Sequence, residues 1–186
     1  MAIPEVDEAS IGQQVLEAGG SPTDYVTALA TAKVNVVSDT TFTLGADTVV
    51  VHRGRVLGKP ANRNAARATL LGMSDGEVEV VSAVALRTGE QVATRVVSTV
   101  LTIRPLSPAE VHAYVVTGAA DDKAGGLAVQ DEAAGFVAAI DGCFTNVVGL
   151  PMCAVTNLLE AASSDGLSRP APEPHHAPEC RCPTGS

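Results

Sequence analysis

The sequence predicts an α/β domain in which helices flank a mixed, twisted sheet. Val-rich segments separated by glycine turns indicate two hairpins, and segments with helical periodicity lie between and after them. The alternation of strands with helices favours the α/β class, and the hairpins favour a mixed sheet. The 186 residues suffice for one domain with its own core, which is aliphatic because 46% of residues are hydrophobic and only 3% are aromatic. We therefore expect a domain at residues 1–162 and, where Pro, Ser, Gly and His dominate, a disordered tail at residues 163–186.

The predicted helices follow recognisable start signals. Ser21 and Asn62 are good N-caps, Ser107 and Glu110 form a capping box, and Pro151 suits a first helical turn. Apolar residues then recur at helical spacing. These signals predict helices at residues 22–38, 63–73, 108–116 and 151–162.

The predicted strands are rich in valine and are bounded by turn residues. Arg53-Gly54 is the turn of a first hairpin and Thr88-Gly89-Glu90 that of a second. A glycine-rich loop follows at residues 117–130. The predicted strands are residues 42–51, 56–57, 78–87, 92–103 and 136–140.

Composition argues against two classes of partner. The net charge of −9 repels a nucleic-acid backbone, and 3% aromatic residues leave few platforms on which bases could stack. The first residues lack the pattern of a signal peptide, and no apolar stretch reaches the roughly 18 residues that a membrane span needs. We expect a soluble, cytoplasmic protein that binds neither nucleic acid nor membrane, while a small anion complexed with a metal remains compatible with its charge.

Lysine is rare in this chain and occurs in distinctive contexts. Lys33 ends a helical segment, Lys59 stands between Gly58 and Pro60, and Lys123 precedes Ala-Gly-Gly. An ammonium is a compact point charge that suits phosphate. One interpretation is therefore a polyanion site; the other is that these are ordinary surface lysines.

An acidic residue stands at the head of an apolar strand. Asp47 follows Gly45-Ala46 and precedes the run Val49–Val51. A carboxylate there needs a cleft or a partner because an isolated buried charge is very costly. It could bind a hard cation or act as a general base on water, or it could be a turn residue at the start of a strand.

Taken together, these motifs resemble those of the Maf-like nucleoside triphosphate pyrophosphatases. The resemblance runs from about Val6 to Leu159 and keeps the order of the family's motifs. The matching segments are Val6-Asp7-Glu8, Leu29-Ala30-Thr31-Ala32-Lys33, Gly45-Ala46-Asp47-Thr48-Val49-Val50, Leu57-Gly58-Lys59-Pro60, Asp122-Lys123-Ala124-Gly125-Gly126 through Gln130, and Asn146-Val147-Val148-Gly149-Leu150-Pro151.

The resemblance implies a sheet bent around a deep cleft, a fold like that of the inosine triphosphatases. It implies hydrolysis of dTTP, UTP or modified pyrimidine nucleotides between the α- and β-phosphates, which yields a monophosphate and pyrophosphate. It also implies a divalent cation, Mg²⁺ or Mn²⁺, and allows a homodimer. By position, Asp47 matches the catalytic proton acceptor, Asp47 and Glu8 the acids near the metal, Lys33, Lys59 and Lys123 the phosphate-binding lysines, and Thr48 and Gln130 the residues that mark preference for dTTP and UTP.

Two positions depart from the family pattern. Leu127 stands where an aromatic residue usually follows Gly-Gly. The family also begins with a strand and a Ser-x-Ser-Pro-Arg-Arg loop well upstream of the position of Asp7, and this N-terminal strand is missing here. We expect the reading frame to begin upstream and encode that segment. The alternative function is that of a catalytically impaired relative that binds nucleotides or acts as an interaction protein.

Overall fold

The computed structural model describes residues 6–37, 42–127, 129 and 135–164. The helices are α1 (Glu8–Glu17), α2 (Pro22–Asn35), α3 (Arg63–Met73), α4 (Pro108–Val116), α5 (Phe144–Val147) and α6 (Met152–Ser164), and Ala124–Gly126 form a 3₁₀ turn. The strands are β1 (Phe42–His52), β2 (Arg55–Leu57), β3 (Gly76–Thr88), β4 (Gln91–Ile103) and β5 (Val137–Asp141). No helix in these ranges is both long and apolar enough to cross a membrane.

The strands form one sheet in the order β2-β1-β3-β4-β5. Every strand pairing among the described residues is antiparallel, so the mixed pairing that we expected is not seen in these ranges. Strand β1 pairs with β3 along almost all of its length, whereas β2 pairs only with Val50–His52. The outer edge of β1 before Val50 therefore has no strand beside it among the described residues.

Helices cover both faces of the sheet, which confirms the α/β class. Successive side chains of a strand point to opposite faces. On one face, Val49 and Val51 of β1 pack with Val26 and Val34 of α2. On the other face, buried side chains of β1, β3 and β4 pack with those of α3, α4 and α6. The strand residues include Val50, Val78, Val84, Val97 and Leu101, and the helix residues include Leu70, Val111 and Leu158.

The structure adds one long helix that the sequence analysis did not predict. Asp7 caps α1 by accepting a hydrogen bond from the Ser10 backbone N–H at 3.0 Å. The helix has few core-facing apolar residues, and of its residues only Gly12 is fully buried. A weak apolar stripe explains why the helical pattern was missed.

Helix α2 ends at Asn35, earlier than the predicted boundary at residue 38. Arg87 of β3 donates from Nε to the Val34 carbonyl oxygen at 2.9 Å and also donates to the carbonyl oxygen of Val37. A tertiary contact thus satisfies carbonyls at the helix end, which local sequence could not indicate.

The last helix extends through Ser164. The rest of the segment predicted to be a disordered tail, residues 165–186, lies outside the described residues, as does Gln130. The missing N-terminal strand stays a prediction.

Candidate active site

A close contact between α2 and β1 places Lys33 beside Asp47. A Cβ atom at Gly45 would lie 2.8 Å from Val34 Cγ1 and 3.0 Å from the Ala30 carbonyl oxygen. Only glycine at this position lets the helix lie so close to the strand. The result is a contact of 2.7 Å between Lys33 Nζ and Asp47 Oδ1.

Helix α1 supplies a second carboxylate to the same ammonium group. Glu8 Oε1 lies 3.0 Å from Lys33 Nζ. The Asp47 side chain is 10% exposed, whereas that of Glu8 is 54% exposed. Asp47 therefore contacts Lys33 from the interior of the protein, and Glu8 contacts it from the side that is open to solvent.

The surroundings change the pKa values of Asp47 and Lys33, which are both partly buried. Burial raises the pKa of Asp47, the nearby charge of Glu8 adds to this, and Lys33 opposes it, with a net upward shift. Burial alone would lower the pKa of Lys33, but its hydrogen bonds to Asp47 and Glu8 outweigh burial and raise the pKa. Lys33 is thus held as an ammonium, while Asp47 holds a proton more readily than an exposed aspartate.

A cavity of about 590 Å³ adjoins this cluster. Its size is within the range of small-molecule sites. It extends around the outer edge of β1, so residues from both faces of the sheet reach it. The polar and charged residues that line it are Glu8, Tyr25, Asp47, Thr48, Lys59, Asp122 and Lys123.

Lys59 and Lys123 lie on loops that are joined to each other. The Gly125 backbone N–H donates to the Gly58 carbonyl oxygen at 3.0 Å. Lys123 Nζ lies 3.0 Å from Asp122 Oδ1, and this contact lowers the pKa of Asp122, with a smaller contribution from Lys59. The two lysines therefore contribute cationic groups to the cavity from one connected part of its wall.

Thr48 lies next to Asp47 but points to the opposite face of the sheet. Its hydroxyl donates to the Gly149 carbonyl oxygen at 3.2 Å and lies 2.6 Å from Ser82 Oγ, which then acts as the donor. Ser82 is fully buried. These bonds join β1, β3 and the segment after α5 into one side of the cavity.

The structure brings Glu8, Lys33, Asp47, Thr48, Lys59 and Lys123 to this cavity or to its immediate border, while Gln130 lies outside the described residues. Leu127 is buried and also lines the cavity. The sequence analysis assigned no site role to Tyr25. Its position one helical turn before Leu29 and two turns before Lys33 could have indicated it, because residues at this spacing share one face of a helix.

The residues around Tyr25 fix its place at the cavity. A Cβ atom at Gly12 would lie 2.5 Å from the Tyr25 ring, so glycine leaves the space that the ring needs between α1 and α2. Burial raises the pKa of the Tyr25 hydroxyl, and the carboxylates of Asp47 and Glu8 raise it further. The hydroxyl is thus kept as a neutral donor near the two acids.

Comparison with known proteins gives one consistent result. A model of the Maf-like protein family matches residues 1–162. The chain is 39% identical over 162 residues to a dTTP/UTP pyrophosphatase of Symbiobacterium thermophilum, which covers 86% of this chain and 80% of that protein. It is 37% identical over 171 residues to a dTTP/UTP pyrophosphatase of Salinibacter ruber, with 89% and 84% covered. A dTTP/UTP pyrophosphatase of Nitrosomonas europaea is 43% identical over 117 residues, with 63% and 56% covered.

Proposed function

The chain belongs to the Maf-like protein family, and we propose that it is a nucleoside triphosphate pyrophosphatase acting on dTTP, UTP or modified pyrimidine nucleotides. It cleaves the bond between the α- and β-phosphates and releases a monophosphate and pyrophosphate. The observation that carries this proposal is the buried Asp47 carboxylate at a cavity whose wall also bears Lys59 and Lys123. An acid beside separated cationic groups suits a reaction in which water attacks a bound polyphosphate.

The two acids fit a divalent cation such as Mg²⁺ or Mn²⁺. Oxygen atoms of Glu8 and Asp47 both lie within 3.0 Å of the same cationic nitrogen, so the carboxylates converge on one position for positive charge. Carboxylate oxygens are the ligands that hard cations prefer, and Mg²⁺ commonly completes its shell with water and substrate phosphates. Among the described residues, no group of three or more His, Cys, Asp or Glu side chains could hold a metal ion, so the proposed site has two protein ligands. A bound divalent ion would neutralise phosphate charge and polarise the phosphoryl oxygen.

The remaining roles are part of the proposal and follow the motif positions given in the sequence analysis. Asp47 accepts the proton of the attacking water at its carboxylate, and its raised pKa makes it a stronger base than an exposed aspartate. Lys59 and Lys123 bind phosphate oxygens and stabilise the charge of the departing pyrophosphate. Thr48 and Gln130 set the preference for dTTP and UTP. The expected homodimer and cytoplasmic location stay predictions.

The test is pyrophosphate release from dTTP and UTP by the purified protein with Mg²⁺ or Mn²⁺. Replacing Asp47 by Asn removes the base but keeps the side-chain shape, and it should lower turnover by about a hundredfold or more. Asp75→Asn is the matched control, because Asp75 is exposed at a turn with φ 55°, a conformation that asparagine tolerates.

Two outcomes would count against the proposal. A wild-type protein that binds dTTP in calorimetry but releases no pyrophosphate would favour the impaired relative that only binds nucleotides. A folded Asp47→Asn variant within a few-fold of wild type would remove Asp47 as the proton acceptor.

A further inference from the structure

Lys33 contacts three oxygen atoms of the protein. Its ammonium lies 2.7 Å from Asp47 Oδ1, 3.0 Å from Glu8 Oε1 and 3.2 Å from the Ala46 carbonyl oxygen. A lysine ammonium has three hydrogen-bond donors, so these oxygens use all of them. While these three contacts are made, Lys33 has no donor left for a phosphate group.

The two carboxylates that hold Lys33 are the acids that fit the divalent ion. Asp47 Oδ1 and Glu8 Oε1 each contact Nζ directly. An ion bound to these oxygens would occupy the space that Nζ fills, and two cations at such short separation repel strongly in a partly buried site. The ammonium and the ion are therefore alternative occupants of the same pair of carboxylates.

The charges of the site favour replacement of the Lys33 ammonium by a divalent ion when a nucleotide binds. With Lys33 in place, the two acids and the ammonium carry a net charge of about −1 rather than −2. Nucleotide phosphates offer the ammonium a new set of oxygens close by, since Asp47 and Glu8 line the same cavity as Lys59 and Lys123. Once Lys33 turns to a phosphate, both carboxylates become free for the cation that accompanies the nucleotide.

We propose that Lys33 is an internal placeholder cation that keeps the divalent-ion site closed until a nucleotide triphosphate arrives. The free protein then binds Mg²⁺ or Mn²⁺ weakly, and ion and nucleotide enter together. This inference rests on the proposed function, because it takes a metal-complexed nucleotide as the incoming ligand. The competing explanation is that Lys33 only fastens α1 and α2 to β1.

Mn²⁺ binding to the protein without nucleotide tests the proposal, measured by the loss of the free Mn²⁺ signal in electron paramagnetic resonance. Lys33→Met removes the charge and keeps the length of the stem. Lys33→Gln is also neutral but can still donate to Asp47, so it remains a test if the first variant does not fold. Lys59→Met is the matched control, because it removes the same charge from the cavity and Lys59 makes no ion pair with either acid in the described structure.

Both Lys33 variants should bind Mn²⁺ about tenfold more tightly than wild type, because the repulsion at short range is removed. Lys59→Met should change the affinity by less than about threefold, since a more distant exposed charge is screened. Adding Asp47→Asn to a Lys33 variant should abolish the gain, which locates the ion at this acid.

Unchanged or weaker Mn²⁺ binding in folded Lys33 variants would overturn the proposal, and so would an equal gain in Lys59→Met, which indicates a general charge effect. The measurement uses no substrate. The two proposals can therefore fail separately: the wild-type protein could release no pyrophosphate while Lys33 still blocks the ion site, or the reverse.

Discussion

Replacing Asn146 by alanine should destabilise the protein and loosen one wall of the cavity. Asn146 is fully buried at the start of the segment that carries Val147, Val148 and Gly149 into the cavity wall. Its Nδ2 donates to the Val80 carbonyl oxygen at 2.9 Å and to Thr99 Oγ1 at 3.0 Å. This side chain thereby holds the segment after β5 against the centre of the sheet.

The magnitude follows from the bonds that are lost. Two hydrogen bonds contribute about 1 kcal/mol each to the free energy of unfolding. The alanine also leaves a space beside Val80 and Thr99, which costs about 1 kcal/mol more. In the opposite direction, Asn146 Oδ1 is buried without a hydrogen-bond partner among the described residues, so its removal stabilises the protein by about 1 kcal/mol. The expected loss is therefore about 2 kcal/mol.

Urea unfolding followed by far-ultraviolet circular dichroism is the suitable assay, because the chain has no tryptophan to report on unfolding. The unfolding midpoint should fall while the slope of the free energy against urea stays the same. Asn157→Ala is the control: Asn157 is exposed on α6, and alanine there should be neutral or slightly stabilising. A loss below about 0.5 kcal/mol for Asn146→Ala would refute the reasoning, because it would mean that these buried bonds contribute almost nothing.

Two further predictions concern the placement of α1 and the cationic part of the cavity wall. Gly12→Ala should lower the free energy of unfolding by about 1–3 kcal/mol, because its Cβ would lie 2.5 Å from the Tyr25 ring. Thermal unfolding followed by circular dichroism measures the change. Gly72→Ala is the control, because there is open space around its Cβ, and it should be neutral or stabilising. Equal melting temperatures for the two variants would show that α1 shifts without cost. Lys59→Arg should lower kcat/KM for dTTP about tenfold although the charge is kept, because a planar guanidinium cannot take the place of a compact ammonium in a fixed phosphate site. Arg63→Lys is the control, because Arg63 is exposed, and it should leave kcat/KM unchanged. Equal kcat/KM values for the two variants would show that Lys59 is an ordinary surface residue.

Local signals in the sequence were enough for much of the fold. The helix at residues 63–73 was predicted with the observed bounds because Asn62 accepts a hydrogen bond from the Ala65 N–H, a contact between near neighbours in the chain. The long hairpin of β3 and β4 was also predicted, since its turn and its Val-rich strands are adjacent in sequence. Such features depend on interactions between residues that are close together in the chain, so a local sequence pattern is enough to predict them.

The order of the motifs around Lys33, Asp47, Lys59 and Lys123 predicted the charged residues of the candidate site, and the structure brings them to one cavity or its border. Their roles stay predictions. The contacts of these side chains could not be predicted from the motifs. The sequence analysis predicted that Lys33 binds phosphate, whereas in the structure its ammonium contacts Glu8 and Asp47.

Only the tertiary structure decided that arrangement, because it depends on how closely separate elements approach. Gly45 lets α2 lie against β1, and Gly12 makes room for Tyr25 between α1 and α2. Each of these contacts joins residues at least 11 positions apart in the chain, the separation of Val34 and Gly45, and no local pattern indicates distance over such a span. The sequence by itself indicated the charged groups of the candidate site; the packing of α1 on α2 and of α2 on β1 determined that an ammonium lies between two carboxylates.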